Sequence, residues 1–424
     1  MTYVRRDRLD LEKKVGTALQ RRHAFVVIGG PTKCGKSVLC RRVLQDEAVV
    51  PVEGGLLNSM DEFWAHLSHP LILPQSATRS RLKAWSWSGL LEVTVGSLFP
   101  VGVKGSTTQG ITLQKGLTAT YNNVLSLDAL KELKRRDAVV VIEDFHFIPS
   151  KVQRAIVRAL KTAVFDGLRV VILAVPHRAY DAAEVEDEVE GRIEYIDLPS
   201  WSLDDLLEIT EKGFPALGLD IPRGIQRRIC EDGFGNPLLV QEICYELSVM
   251  RIEQGPDAAD LEASDLIRVY NEVARRKGVN RFEQLSHVPL PPQFPPLQLP
   301  DGSNLDLNAA MLGAVARLGP KTTITFAELT ASLEQLAGNA DVPQDQVEAV
   351  LSAMTRAVAK GNSAPFEWDQ NRATLTITDP FLMFFLRWVL RDRRAMVLPI
   401  SAIESATKIP PGIEAPSAEE DYSK

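Results

Sequence analysis

One octapeptide constrains this chain more than any other stretch: Gly30-Pro31-Thr32-Lys33-Cys34-Gly35-Lys36-Ser37. It follows the apolar run Ala24 to Gly29 and opens a helix expected over Ser37 to Leu44, so strand, glycine-rich turn and helix N-terminus fall in that order. This is the spacing and the context of a Gly-x4-Gly-Lys-Ser phosphate loop. Its glycines permit a backbone whose N–H groups turn inward on phosphate oxygens, and the helix behind presents its positive end to them. Lys36 is placed to neutralise β and γ oxygens, and the Ser37 hydroxyl to ligand Mg²⁺. With Val38 the stretch 30–38 is the expected cofactor-binding segment; the alternative is a glycine-rich turn with no ligand.

A phosphate loop needs acidic partners at the carboxyl end of a neighbouring buried strand, because ligands of open α/β sheets sit outside that edge. Ala138-Val139-Val140-Val141-Ile142-Glu143-Asp144 supplies them. Glu143 is expected to hold Mg²⁺ together with Ser37, and Asp144 to orient the attacking water, with the two roles exchangeable.

The rest of the first half fits the same architecture. Ala24 to Gly29, Ala138 to Glu143 and Arg169 to Val175 are near-continuous Val/Ile-rich runs, as strands buried on both faces should be, and Arg192 to Leu198 carries charges that suit an edge. The fold class expected is α/β with a mostly parallel sheet. Between the first two strands, Val93 to Asn123 is rich in Gly, Ser and Thr and reads as a hairpin insertion or a loop. From Ser202 to about Lys277 the spacing is helical, with Ser202-Leu203-Asp204-Asp205 opening one helix. Six prolines between Pro289 and Pro300 mark an extended connector. Leu305 to Leu318, Thr325 to Leu336 and Gln344 to Lys360 then read as three helices, followed by a hairpin of Phe366 to Trp368 and Thr374 to Thr378, the layout of a winged helix.

Here the sequence resembles a family, the AAA+-related P-loop ATPases, and within them the STAND signalling ATPases and related bacterial and archaeal ATPases. Glu143-Asp144-Phe145-His146 resembles their Walker B run, with glutamate where an aspartate usually stands. The resemblance implies ATP and Mg²⁺ as cofactors and a γ-phosphate sensor at Arg178 or His177. It also implies an arginine finger for a neighbouring subunit at Arg192, where a salt bridge to Glu188 or Glu190 is the local alternative. Gly235-Asn236-Pro237 is similar to the motif by which STAND lids contact the base, although Asn before Pro also starts a helix unaided. The expected domains are a P-loop core over 1–200, a helical lid over 201–277, a Pro-rich linker over 278–304, a winged helix over 305–394 and a disordered acidic tail over 395–424.

The function implied is an ATP-hydrolysing molecular switch, a nucleotide-dependent homo-oligomer that clamps nucleotide between core and lid and so controls self-assembly or capture of a protein partner. The alternative is a DNA-handling ATPase docking its winged helix on duplex. Charge argues against the latter: 48 basic against 55 acidic residues give a net charge of -7. From Asp306 to Lys360, Asp306, Glu328, Glu334, Asp341, Asp345 and Glu348 outnumber Arg317, Lys321, Arg356 and Lys360. That is poor material for a major-groove reader. Lys151, Arg154, Arg158 and Lys161 share one helix face, read as a solvated face or a contact surface. Four cysteines without a Cys-x-x-Cys pair and no run long enough to span a bilayer point to the cytoplasm. Cys34 is either redox-sensitive or a passive small residue.

Overall fold

A computed structural model of the chain describes residues 3–71, 128–175, 191–255, 261–290, 294–319, 321–338, 342–358 and 365–388. Arg178, His177, the stretch Val93 to Asn123 and the tail 395–424 lie outside the described residues. Two compact units divide the chain, one formed by Arg5–Pro199 and the other by the residues from Ser200 onward with the first four.

The first unit is built on five parallel strands: β1 (Phe25–Gly29), β2 (Val49–Glu53), β3 (Val139–Glu143), β4 (Arg169–Ala174) and β5 (Ile193–Asp197). Their order across the sheet is β2-β3-β4-β1-β5. Successive β1 residues feed opposite cores. Phe25 and Val27 join one with Val140, Ile142 and Ile172, whereas Val26 and Ile28 join another with Val141, Val171 and Leu173. The first core is covered by α3 (Met60–Ser68) and α4 (Ser150–Phe165), the second by α1 (Leu11–Gln20) and α2 (Lys36–Val43). Two-sided burial explains why the central strands read as unbroken apolar runs.

All four strands expected from the sequence are present, and the charged β5 is an edge. The sequence reading missed β2, in which Pro51 interrupts an otherwise clear Val run. Proline is tolerated there because, among the described residues, β2 is the other edge, with one side free of the hydrogen-bond ladder.

The second unit opens with four helices: α5 (Leu203–Ala216), α6 (Arg223–Glu231), α7 (Pro237–Gln254) and α8 (Ala263–Ser286). Ser202 and Asp205 close a reciprocal capping box on α5, satisfying donors that a helix start otherwise leaves open. Helix α8 continues past Lys277, expected as the end of the helical region, to Ser286. In the Pro-rich stretch, β6 (Leu297–Gln298) and β7 (Asn304–Leu305) pair antiparallel. Next come α9 (Leu307–Arg317), β8 (Thr323–Thr325), α10 (Phe326–Leu336), α11 (Gln344–Val358), β9 (Phe366–Asp369), β10 (Thr374–Ile377) and α12 (Pro380–Trp388). The sheet order β8-β10-β9 adds one short strand, β8, to the expected hairpin. One apolar core runs through the whole unit, from Leu206 of α5 to Leu386 of α12.

Candidate functional site

The site forms where β1 ends and α2 begins. Gly35, which precedes α2, has φ 100°, a conformation that a side chain disfavours, and Lys33 also adopts a positive φ of 62°. The turn therefore folds back over the N-terminus of α2. Lys36 is 9% exposed and donates through Nζ to the carbonyls of Gly30 and Pro31, both at 2.8 Å. Burial holds its pKa below the ordinary lysine value, while Cys34, Asp144 and Glu143 act in the other direction. The two carbonyls satisfy its hydrogen bonds without neutralising its charge, and no ion pair to Lys36 forms among the described residues, so the loop suits an anion.

The acids arrive from β3. Ser37 donates through Oγ to Glu143 Oε2 at 2.5 Å, so loop and strand end meet directly. Burial raises the Glu143 carboxyl above the usual range; Ser37 pulls it down and Asp144 pushes it up. Asp144 is raised as well, chiefly by desolvation, against the pull of Lys36. It sits in the left-handed region at φ 49°, which Asp tolerates better than most side chains. Just beyond it, the buried Gln153 of α4 donates to the Phe145 carbonyl at 2.9 Å, fixing the turn that carries Asp144. A hydroxyl and a carboxylate in contact are hard oxygen donors of the kind Mg²⁺ takes while keeping several waters. Ser37 and Glu143 thus fit that ion.

Three participants were missed by the sequence reading. Glu53 ends β2 in register with Glu143 and raises both Glu143 and Asp144. Gly54 follows it, and a Cβ there would lie 2.6 Å from the carbonyl oxygens of Glu143 and Asp144. Only glycine allows that approach. Both were hidden because β2 was not recognised as a strand. Arg6 is 6% exposed, donates to the Pro199 carbonyl at 2.9 Å and lies near enough to lower the Cys34 thiol. A lone arginine ahead of α1 carries no pattern that marks it as buried.

The other expected residues fall into three groups. Pro31, Thr32 and Val38 lie on the loop and the start of α2, with Val38 exposed. Cys34 is 2% exposed, and burial raises its pKa; this opposes thiolate formation and leaves the passive reading. Arg192 precedes β5 and stacks 3.9 Å from the centre of the Phe165 ring. Because β5 runs parallel to β1 with Phe25 opposite Ile193, Arg192 lies roughly 20 Å along the sheet from the loop. It does not reach the loop between β1 and α2 of its own chain. The open cavity of about 650 Å³ beside it belongs to that far edge, where Arg21 pairs with Glu194 and Arg22 with Asp137. Pro237 is the first residue of α7 in the second unit, and Asn236 accepts from the N–H groups of Leu238 and Leu239, both at 3.1 Å. Among the described residues, no group of three or more His, Cys, Asp or Glu side chains could hold a metal.

A parallel sheet with helices on both faces, a lysine-bearing loop after β1 and acids at the end of β3 define one architecture. The chain has an α/β P-loop fold. Its similarity to solved structures spans nearly the whole chain. A Walker-type ATPase of Pyrococcus abyssi matches at 14% identity over 91% of this chain and 98% of that one, with a TM-score of 0.49. Cdc6p from Pyrobaculum aerophilum matches at 13% identity over 95% and 96%, TM-score 0.44. The RuvB Holliday junction branch migration motor of Thermotoga maritima matches at 13% over 89% and 93%, TM-score 0.39. No family model matches the chain, and no curated protein does. No helix among the described residues is long and apolar enough to cross a membrane.

Proposed function

We propose that this chain is an ATP-binding and ATP-hydrolysing molecular switch of the STAND/AAA+ type. The contact between Ser37 and Glu143 carries the reading, because it joins phosphate loop and acidic strand end at 2.5 Å with buried Lys36 beneath. In this reading the backbone of Gly30 to Ser37 holds the triphosphate, Lys36 turns from the Gly30 and Pro31 carbonyls to the β and γ oxygens, and Ser37 and Glu143 hold Mg²⁺. The metal supplies charge neutralisation at the transferring phosphoryl group. Asp144 orients water for attack on the γ-phosphate, and Glu53 keeps the pair of acids proton-receptive by raising their pKa values. Arg192, far from its own loop, serves a neighbouring copy, and nucleotide state sets self-assembly or the capture of a partner in the cytoplasm. Four cysteines without a disulfide among them fit that compartment.

The switch reading is favoured over one in which the second unit docks on duplex, since Asp345 and Glu348 oppose the single Arg356 on α11. The experiment is turnover of Mg-ATP as a function of protein concentration, with light scattering on the same samples. Turnover that rises with self-association supports the proposal; no turnover at any concentration overturns the enzyme.

A further inference from the structure

Helix α4 carries Lys151, Arg154, Arg158 and Lys161 and not one acidic residue. Lys151, Arg154 and Arg158 are exposed, and Lys161 is half-buried. Successive members are three or four residues apart, so each cation faces another of the same sign, an arrangement that weakens a helix. Lys151 adds to this by standing in the first turn, at the positive end of the helix dipole. Other helices of the chain do the opposite: Glu208 pairs with Lys212 on α5, and Arg227 and Arg228 pair with Glu231 and Asp232 on α6. Lys151 and Arg154, both exposed, form no ion pair among the described residues.

The geometry points to α4 as a docking face for the phosphodiester backbone of nucleic acid. From Lys151 to Lys161 the helix rises about 15 Å, which spans roughly four phosphates at ~3.4 Å of axis per strand. An acidic protein segment is the other polyanion that charge alone admits. However, protein interfaces rest on large apolar or aromatic anchors, and no large exposed hydrophobic side chain lies on α4; phosphate contact needs only the cations. The net charge of -7 opposes approach at low salt but is largely screened beyond ~8 Å at physiological ionic strength, leaving the local face to act. Contact of this kind is independent of base sequence. The inner side of the same helix holds the Asp144 turn through Gln153, so a polyanion seated outside is one helix diameter from the acids. The inference shares only that last link with the ATPase reading.

The test is fluorescence anisotropy of the full chain with a mixed-sequence DNA duplex of about 20 base pairs and its single strand, titrated across salt concentrations, with a polyglutamate peptide as rival. Duplex affinity should fall with salt with a log–log slope of about -2 or steeper, -2 being the share of Lys151 and Arg154. Lys151→Ala/Arg154→Ala should flatten the slope by about 2, and Lys151→Glu/Arg154→Glu should weaken binding at least about tenfold. Lys212→Ala/Arg227→Ala, on α5 and α6, should change nothing. ATP uptake by each variant, measured alongside, separates loss of the face from loss of the fold and from failure of the ATPase reading. No duplex or single-strand binding, binding untouched by the α4 variants, or stronger capture of polyglutamate than of DNA overturns the inference.

Discussion

The two units treat buried charge in opposite ways. In the second, two deeply buried aspartates have protein partners that suit them. Asp232, 3% exposed, accepts from Arg228 at 2.7 Å and from Tyr270 at 3.0 Å. Asp379, 2% exposed, caps α12 by accepting from the N–H groups of Phe381 and Leu382. In the first unit, buried Lys36 donates to loop carbonyls, while Glu53, at the end of β2 in register with Glu143, raises the pKa of both Glu143 and Asp144. A unit that holds charge incompletely neutralised is prepared for a charged ligand, whereas one that neutralises it internally is prepared to stay folded.

Several substitutions would break or sharpen that contrast. Lys36→Ala should weaken ATP binding about 1,000-fold, the loss expected when a buried charge contact is removed, while circular dichroism shows the fold retained. Asp232→Ala should instead cost about 3 kcal/mol in denaturant-measured stability, since Arg228 and Tyr270 lose their common acceptor. If Lys36→Ala destabilised the fold as much as Asp232→Ala does, the contrast would fail. Asp144→Ala should slow turnover about 100-fold with ATP affinity nearly unchanged, as calorimetry and steady-state kinetics would separate.

The smallest effect concerns pH. Glu143 is raised in the folded state, so its stabilising contribution is present below the ordinary carboxylate pKa and is lost as pH rises through the raised value. Glu143→Gln removes that loss and keeps an acceptor for Ser37. The variant should therefore melt a few degrees higher than the parent at neutral pH without ligand, and the two curves should converge below about pH 4. Parallel curves at all pH values would show that burial does not burden this carboxyl. The same shift predicts that Mg²⁺-dependent ATP affinity falls off with acid earlier than an ordinary glutamate would make it.

How much of this was legible in the residues follows from which forces act locally. The loop, its strand and its helix were readable because the glycine-lysine spacing, strand burial and helix start are encoded within a dozen or so consecutive residues. Glu143 and Asp144 were readable because they end a run of five apolar residues. Glu53 and Gly54 were not, since their meaning depends on β2 lying beside β3, a pairing between segments about 90 residues apart that Pro51 disguises. Arg6 was illegible for a similar reason: its partner is the Pro199 carbonyl at the far end of the unit. The distance of Arg192 from its own loop follows from parallel pairing of β5 with β1. Strand β8 is three residues long, and its last residue, Thr325, is also the cap of α10, so helix-start chemistry masked the strand.

A crystal structure of the chain with a non-hydrolysable ATP analogue and Mg²⁺ tests the central claim most directly. The account predicts the triphosphate cradled by the backbone of Gly30 to Ser37, Lys36 released from the Gly30 and Pro31 carbonyls onto phosphate oxygens, and the metal held by Ser37 with Glu143 at its shell. A triphosphate bound elsewhere, or Lys36 still closed on its loop with the analogue present, would contradict it.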